Sequence, residues 1–232
     1  MRVSFVSRML DIIAPRTCCV CGGRLKISEE EICSSCNLHL PRTRFARSPY
    51  DNPMTQVFWI QTPVEKAAAL FYYNGHSDTA GILYHLKYHD RQEIGLVMGR
   101  MLAEECKANG FFDGIDVIVP IPLAKKRLRQ RGYNQSEEIA RGISEVSGLP
   151  VDCNIIERTS FAGSQTKKDR QGRIENVDSV FHLKSPEKAK GKHLLIVDDV
   201  VTTGATIIAA AKELAKAGEV KISILSLGFA HS

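Results

Sequence analysis

Residues 194–206, LLIVDDVVTTGAT, decide the fold of this chain. They begin with four consecutive apolar residues, a pattern typical of a strand that is buried on both faces in a parallel sheet. The strand ends in two adjacent carboxylates, Asp198 and Asp199, and a short turn rich in hydroxyl groups then leads into a helical pattern. Parallel sheets bind ligands beyond the carboxyl ends of their strands. The stretch therefore predicts an α/β fold with a ligand site at this strand end.

The turn after the two aspartates has the chemistry of a phosphate site. Backbone N–H groups at a helix start are unpaired and carry partial positive charge, so they can surround a phosphate. Gly204 allows the backbone to approach closely, Ala205 begins the helix, and three hydroxyls add donors, those of Thr202, Thr203 and Thr206. Ionised aspartates only accept hydrogen bonds, which suits vicinal sugar hydroxyls or a hydrated Mg²⁺. The stretch thus predicts a site for a ribose 5-phosphate.

Three other interpretations of residues 194–206 explain less. A helix cap accounts for Thr-Thr-Gly but leaves the two carboxylates without a role. A P-loop nucleotide hydrolase would carry G-x-x-x-x-G-K-[ST], and the chain contains no such motif. Phosphoacceptor receiver domains carry their acidic pair near the start of the domain, whereas this pair lies late in the chain.

Strand and helix patterns alternate on either side of this stretch. Strands are predicted at 67–73, 116–122, 155–159, 193–200 and 220–229, and helices at 78–88, 92–108, 134–146 and 205–218. Such alternation predicts a parallel sheet covered by helices on both faces. Prolines punctuate residues 41–63, which we interpret as a linker or an extended wrap. We expect two units, residues 1–57 with a helix, a cysteine-rich ribbon and this linker, and residues 58–232 with the sheet.

Composition excludes two classes of protein. Of the 232 residues, 44% are apolar, which is too many for a disordered chain. No apolar run approaches the roughly 20 residues of a membrane-spanning helix. The first fifteen residues resemble a signal peptide, but Arg8 and Asp11 interrupt the apolar stretch, and its apolar residues recur at helical spacing. We therefore expect an amphipathic helix, no membrane insertion and a cytoplasmic protein.

The positive charge is concentrated in one short window. Lysine and arginine total 31 and aspartate and glutamate total 26, a surplus of 5. Residues 125–131 alone hold five cations and no acid: Lys125, Lys126, Arg127, Arg129 and Arg131. The window lies in a predicted loop from Pro120 to Tyr133, which leaves the carboxyl end of the predicted strand 116–122, where a ligand binds. Two interpretations stay open, a solvated helix face and a binding site for a polyanionic phosphate.

Four cysteines have the spacing of a metal site. Cys18 and Cys21 form one C-x-x-C pair, and Cys33 and Cys36 form a second. Two such pairs can place four thiolates around one tetrahedral, structural Zn²⁺. Gly22 and Asn37 follow the pairs, and both residue types readily adopt the positive φ of a metal-binding turn. Cys19 and His39 are weaker candidate ligands, and disulfides are the alternative to a metal.

Residues 194–206 resemble the binding signature for 5-phosphoribosyl 1-pyrophosphate (PRPP) of type I phosphoribosyltransferases. The whole chain is similar to the ComF family of competence-associated proteins, which join a four-cysteine finger to such a domain. Besides the cysteines, the resemblance is carried by Leu86-Lys87-Tyr88, by the RGYNQ stretch at 131–135, and by the spaced set Gln165, Arg173, Asn176 and Phe181. It implies a type I phosphoribosyltransferase-like parallel sheet flanked by helices and preceded by a small zinc ribbon.

The resemblance also implies a reaction. Pyrophosphate would leave ribose C1 through a cationic, oxocarbenium-like ribose, with Asp198 and Asp199 as the catalytic pair and Mg²⁺ neutralising the leaving group. The five cations of the basic window become candidates for binding that pyrophosphate. Related enzymes close a mobile lid over PRPP from a position comparable to residues 160–178. The lid candidates are Gln165, Lys167, Lys168 and Arg173, and an exposed linker is the alternative for that segment.

Three functional hypotheses follow. The first is a Mg²⁺-dependent, PRPP-binding phosphoribosyltransferase of nucleotide or nucleic-acid metabolism, linked to DNA uptake, with an acceptor that the sequence does not identify. The second is a competence adaptor that binds single-stranded DNA and whose transferase fold is catalytically idle. The third is a regulator that senses PRPP without turnover. Other competence proteins, such as a DNA helicase, are the expected protein partners.

Overall fold

A computed structural model describes residues 15–75, 77–88, 91–159 and 180–230 of the chain. The helices among these residues are α1 (Ser34–His39), α2 (Pro53–Gln56), α3 (Asp78–Tyr88), α4 (Glu93–Lys107), α5 (Lys125–Arg131), α6 (Gln135–Ser147), α7 (Pro186–Ala189) and α8 (Ala205–Ala215). The strands are β1 (Lys66–Tyr72), β2 (Val117–Pro120), β3 (Ile156–Arg158), β4 (Phe181–Leu183), β5 (His193–Val201) and β6 (Lys221–Phe229). Within these ranges, no helix is both long and apolar enough to span a bilayer.

Four of the five predicted strands, now β1, β2, β5 and β6, form one parallel sheet, as predicted. Its order is β1-β6-β5-β2, and each neighbouring pair is parallel. Strand β5 lies in the interior of the sheet and is buried along almost its whole length, which explains its uninterrupted apolar run. Pro120 at the end of β2 pairs with Val197, so the carboxyl ends of β2 and β5 lie side by side just before Asp198.

Helices flank the sheet on both faces. The crossover from β1 to β2 and the crossover from β5 to β6 run in opposite directions across the sheet. Because parallel crossovers are right-handed, α4 and α8 cover opposite faces. The prediction of a helix-flanked parallel sheet is therefore confirmed.

Helices α4 and α6 contact each other backbone to backbone. A methyl carbon built on Gly99 would lie 2.3 Å from the carbonyl oxygen of Ile139, and one built on Gly142 would lie 2.1 Å from that of Leu96. No side chain larger than hydrogen fits at either position. This close approach fixes α6 against the sheet, so that the first residues of α6 reach the carboxyl end of β5.

Residues 124–133 differ from the prediction of a loop. Helix α5 spans the basic window and ends at Gly132, whose φ of 82° forms a left-handed C-cap. The window contains lysine, arginine, leucine and glutamine, which are all good helix formers, and it contains no glycine or proline. Local propensity therefore favours a helix here, with its residues exposed or half-buried.

The short strand predicted at 155–159 is confirmed as β3, but it lies outside the main sheet. It pairs with β4 in a separate antiparallel ribbon. The amide of Leu183 on β4 donates to Glu213 Oε1 on α8 at 3.1 Å, which joins this ribbon to the main domain. The predicted lid segment connects β3 to β4. All four lid candidates, Gln165, Lys167, Lys168 and Arg173, lie outside the described residues, as does the predicted helix over the first residues of the chain.

The proline-rich segment wraps along the outer edge of the sheet, as one of its two interpretations predicted. Arg42 forms an antiparallel bridge to Phe71 on β1. The amide of Thr43 donates to the carbonyl of Leu70 at 3.2 Å, and the amide of Ala67 donates to the carbonyl of Pro49 at 2.9 Å. The segment thus supplies hydrogen-bond partners to a strand that would otherwise be an edge.

Candidate functional site

A cavity of about 980 Å³ opens at the carboxyl ends of β2 and β5. Its walls include both predicted aspartates, Asp198 and Asp199, and two residues of the predicted phosphate turn, Thr202 and Thr206. Three cations of the basic window line the same cavity: Arg127, Arg129 and Arg131. The structure therefore brings the acidic pair, the turn and part of the basic window around one space, although they are distant in sequence.

The other predicted residues lie around the cavity rather than in its lining. Lys125 and Lys126, at the start of α5, are exposed. Thr203 and Ala205 are also exposed, and the hydroxyl oxygen of Thr203 lies 3.5 Å from the amide of Ala205. Gly204 is buried and has a φ of 74°, so it adopts the left-handed conformation that favours glycine.

The two carboxylates are nearly enclosed by protein but keep one side open to the cavity. Asp198 is 8% exposed and Asp199 is 5% exposed. The hydroxyl of Ser136 donates to Asp198 Oδ1 at 3.1 Å, and the Asp199 amide donates to the same oxygen at 2.9 Å. Asp199 Oδ2 accepts from Gln135 Nε2 at 3.3 Å and forms an ion pair with Lys87 Nζ at 2.8 Å. The pair is thus held rigidly by the start of α6 and the end of α3.

Enclosure changes the acidity of Asp198. Burial first, and then the negative charge of Asp199, raise the pKa of the Asp198 carboxyl to about 7, although hydrogen bonds from Ser136 and the Asp199 amide oppose the shift. A carboxylate that is short of solvation binds cations and hydroxyl donors strongly when they arrive, because they replace the missing water. The site is therefore prepared for a cationic or hydroxyl-rich ligand.

In the predicted phosphate turn, residues 202–206, the N-cap residue of α8 makes no side-chain cap hydrogen bond among the described residues, although the amide of Ala205 donates to the Thr203 hydroxyl at 3.5 Å. Gly204 occupies the N-cap position, and its carbonyl accepts from the amide of Ile208 at 2.9 Å. Uncapped N–H groups at a helix start are an anion site. Thr206 in the first turn of α8 lines the cavity, which places this helix start at its wall.

The cationic wall of the cavity includes side chains that the sequence analysis did not single out. Lys87 is part of the family resemblance but was assigned no role from it, and Arg158 on β3 was not predicted as a site residue. Both line the cavity. Ser136 was missed as well. Ser136 directly follows the RGYNQ stretch and lies in the first turn of α6, and that position was the available signal for it. The guanidinium of Arg131 lies 5.7 Å from the ring centre of Tyr88, which joins α5 to α3.

Tyr133 connects the RGYNQ stretch at 131–135 directly to the stretch Leu86-Lys87-Tyr88. Its hydroxyl donates to the carbonyl oxygen of Leu86, in the stretch that carries Lys87. Asn134 caps α6, its side chain accepting from the Ser136 amide at 3.2 Å, and its Nδ2 donates to the carbonyl of Ile121 at 3.0 Å. Each side chain therefore fixes a piece of backbone that carries a cavity residue.

The four predicted metal ligands form one cluster. The sulfur atoms of Cys18, Cys21, Cys33 and Cys36 all lie within 4.8 Å of one another. Backbone amides point at them: Val20 and Cys33 donate to the Cys18 sulfur at 3.4 and 3.3 Å, and Gly23 donates to that of Cys21 at 3.4 Å. Burial opposes ionisation of Cys18, but amide donors outweigh it and lower the pKa of this thiol to about 7. The cluster therefore fits a metal that binds thiolates.

The other candidate ligands lie outside the cluster. Cys19 is buried, which raises the pKa of its thiol to about 12, and the ring of His39 bonds to the carbonyl of Ser35 at 2.8 Å. Gly22 has the predicted positive φ of 69°. The prediction for Asn37 was wrong, because the second pair runs into α1, which the Cys33 side chain caps.

The cysteine ribbon is docked on α4 and the residues before it. Arg91 Nη2 forms an ion pair with Glu31 Oε2 at 2.5 Å and donates to the carbonyl of Thr17 at 2.9 Å. Arg100 on α4 pairs with Glu30. Buried ribbon residues, including Cys19, Leu25 and Ile32, also belong to the same hydrophobic cluster as the sheet. The ribbon is therefore held to the main domain by ion pairs and by apolar packing.

The chain is similar in sequence to one domain family and to bacterial DNA utilization and competence proteins. Residues 87–229 match the phosphoribosyl transferase domain family. The chain is 29% identical over 218 residues to the DNA utilization protein YhgH of Escherichia coli, which covers 90% of this chain and 88% of that protein. It is 31% identical over 113 residues to competence protein F of Haemophilus influenzae, which covers 48% of this chain and 49% of that protein.

Among solved structures, the chain is similar to a glutamine PRPP amidotransferase from Bacillus subtilis. The identity is 21%, the TM-score is 0.42, and the match covers 61% of this chain and 30% of that enzyme.

Proposed function

This chain belongs to the phosphoribosyl transferase domain family, and on that premise we propose that it binds Mg²⁺·PRPP and displaces pyrophosphate from ribose C1. One observation carries the proposal. The buried acidic pair, the uncapped helix start and the arginines of α5 line a single cavity. These groups match, in order, the ribose hydroxyls, the 5-phosphate and the pyrophosphate of one ligand.

Each part of the cavity has a distinct task in this proposal. Asp198 and Asp199 accept hydrogen bonds from the ribose hydroxyls, and their charge favours a ribose that becomes cationic as the bond at C1 breaks. The turn from Thr202 to Thr206 holds the 5-phosphate with backbone amides and hydroxyls. Arg127, Arg129 and Arg131 bind the departing pyrophosphate, and Lys87 adds a cation when the ligand releases it from Asp199. Magnesium, held by oxygen atoms of the ligand and this acidic pair, would supply charge neutralisation to the leaving group.

We also propose that the predicted lid closes over PRPP and excludes water. Its candidate contact residues are Gln165, Lys167, Lys168 and Arg173. We also propose Zn²⁺ as the ion of the four-cysteine cluster, in a structural role, since four thiolates leave it no open position. The names of the relatives support a role in the use or uptake of DNA. We propose in addition that the protein acts in the cytoplasm and that its partners are competence proteins such as a DNA helicase.

Titration calorimetry of the full chain tests the proposed function. We expect PRPP to bind in the presence of Mg²⁺ and to bind at least about 10-fold more weakly in Mg²⁺-free buffer without a chelator, because the metal offsets charge between ligand and acidic pair. Absence of heat with Mg²⁺·PRPP would refute the proposal. Pyrophosphate release across a panel of bases and amines then separates a transferase from a regulator that only senses PRPP.

A second candidate function, binding of single-stranded DNA, is favoured by a surface beside the cavity. Tyr84 and Tyr88 on α3 are 54% and 67% exposed, and their ring centres lie 5.3 Å apart. The half-buried Arg131 lies over the ring of Tyr88, so the carboxyl end of α5, the helix that carries the basic window, adjoins these rings. Exposed rings that can stack on bases, beside cations that can contact phosphates, are typical of single-strand binding. Because Lys125 and Lys126 lie outside the cavity lining, we assign them to this second ligand rather than to pyrophosphate.

We expect the double substitution Lys125→Gln/Lys126→Gln to weaken binding of a thymidine oligonucleotide about 10-fold at low salt and to lower its salt dependence, because two phosphate contacts are lost. Fluorescence anisotropy over a range of salt concentrations measures both quantities. Lys190→Gln/Lys192→Gln, near the amino end of β5, is the control of equal charge change. DNA binding that is absent from the wild-type protein, or that ignores salt, would remove this candidate function.

A further inference from the structure

The phosphate turn is backed by a segment that comes from the N-terminal quarter of the chain. A methyl carbon built on Gly204 would lie 2.8 Å from Val57 Cγ1 and 2.8 Å from Phe58 Cε1. Both side chains thus contact the glycine at the N-cap of α8, on the side where any other residue would carry its side chain. Neither residue lines the cavity.

The segment that carries these two side chains is rigidly held. Asn52 caps α2 through the amides of Met54 and Thr55, and its Nδ2 donates to the carbonyl of Ala67 on β1 at 2.9 Å. A tight turn follows α2, in which the carbonyl of Phe58 accepts from the amide of Gln61 at 3.0 Å. Phe58 is fully buried by this arrangement, whereas Ile60 in the same turn is 99% exposed.

Gly204 needs neighbouring side chains to restrict its backbone conformation. The turn requires a positive φ at residue 204, which favours glycine, but glycine is also the residue with the greatest conformational freedom. A phosphate site gains affinity when its amides are fixed before the ligand arrives, because the cost of ordering them is then absent from binding. A residue that packs on Gly204 can supply the restraint that glycine itself lacks.

We propose that Val57 and Phe58 are positioning residues of the 5-phosphate site: they hold Gly204 in its left-handed conformation and thereby fix the amides at the start of α8. The inference rests on the proposed function, since it assumes that this turn binds a phosphate. It adds that the segment between the cysteine ribbon and the sheet is part of the binding machinery without touching the ligand.

Two partial ligands test this inference, because they occupy different halves of the cavity. Ribose 5-phosphate needs the turn, whereas Mg²⁺·pyrophosphate needs the arginines. We expect Val57→Ala to weaken PRPP and ribose 5-phosphate about 10-fold and to leave Mg²⁺·pyrophosphate within about twofold, because only the turn loses its restraint. Phe58→Leu, which keeps an apolar side chain of similar size, should lose about threefold for the same two ligands. Ile60→Ala is the matched control and should change none of the three affinities.

Calorimetry with each ligand distinguishes the outcomes, with a melting curve for every variant. Unchanged affinity of both variants for ribose 5-phosphate would overturn the inference and leave the proposed function intact. Equal weakening of ribose 5-phosphate and Mg²⁺·pyrophosphate would also overturn it, since that result indicates a general structural effect. A wild-type protein that binds neither PRPP nor ribose 5-phosphate would refute the proposed function and this inference together.

Discussion

Replacement of both Asp198 and Asp199 by asparagine is expected to weaken Mg²⁺·PRPP binding at least about 100-fold, because two charge-assisted contacts to the ribose and its metal are lost together. Asparagine keeps the size of aspartate, and its carbonyl oxygen can still accept from Ser136. The loss would therefore come from charge rather than from shape. Calorimetry at saturating Mg²⁺ measures the effect.

Substitution of Asp198 alone should act in the opposite direction on stability. Asp198 is an almost fully enclosed carboxyl beside a second negative charge, and burial raises its pKa. Asp198→Asn should therefore raise the free energy of unfolding by about 1 kcal/mol or more in the absence of ligand, since it removes a buried charge that is repelled by Asp199 and keeps an oxygen that can accept from Ser136. Thermal denaturation without Mg²⁺ measures this gain.

Asp152→Asn is the matched control for both measurements. Its carboxylate pairs with Lys188 at 2.8 Å, away from the cavity. We expect PRPP affinity to stay unchanged in this variant, and stability to fall slightly or not at all. If the double variant of Asp198 and Asp199 binds PRPP as the wild type does, the acidic pair has no part in ligand binding.

Loss of the metal is the second large effect that we expect. Cys36→Ser should reduce bound zinc from about one ion per chain to almost none, because three thiolates cannot complete the tetrahedral site. Structural zinc contributes about 10–16 kcal/mol to the folding of isolated zinc-finger peptides at neutral pH. The ribbon should therefore lose its local order around the cysteines in this variant, although its apolar side chains also pack on the main domain.

Zinc analysis and limited trypsin digestion check this result. Cleavage is expected at Arg24 or Lys26 in the variant and in EDTA-treated wild type, before any cleavage within the sheet. Cys153→Ser, which removes an exposed cysteine outside the cluster, should retain the metal and resist cleavage. A metal site would be contradicted by wild-type protein that contains no zinc and whose four cluster cysteines are found, by thiol titration, to be oxidised to disulfides.

Much of this fold could be predicted from local sequence, because the determining residues are neighbours in the chain. The apolar run before Asp198 specifies a buried strand, and the turn that follows it needs only the types of residues 202–206. The two C-x-x-C pairs specify their own cluster in the same way. For the basic window, the loop prediction rested on its position after a strand end and is wrong. Its residues favour a helix, and Gly132 provides the C-cap.

The contacts that sequence reasoning missed are those between distant segments. Lys87 reaches Asp199 from the end of α3, and Ser136 reaches Asp198 from the start of α6. Phe58 reaches Gly204 from the proline-rich segment. No periodicity or spacing reports such pairs, because they depend on how helices cross the sheet. Strand β4 was missed as well, because it has only three residues and its pairing with β3 joins segments that are distant in the chain.

The wrap along β1 has a consequence for solubility. An uncovered outer strand presents a row of amides and carbonyls that can recruit strands from other molecules, and this is a common origin of aggregation. Residues 41–49 cover that row with antiparallel contacts to β1. A shortened chain that began at residue 58 would keep the acidic pair and the turn but would expose this strand. Such a fragment should aggregate, so residues 41–49 also protect β1 from pairing with strands of other molecules.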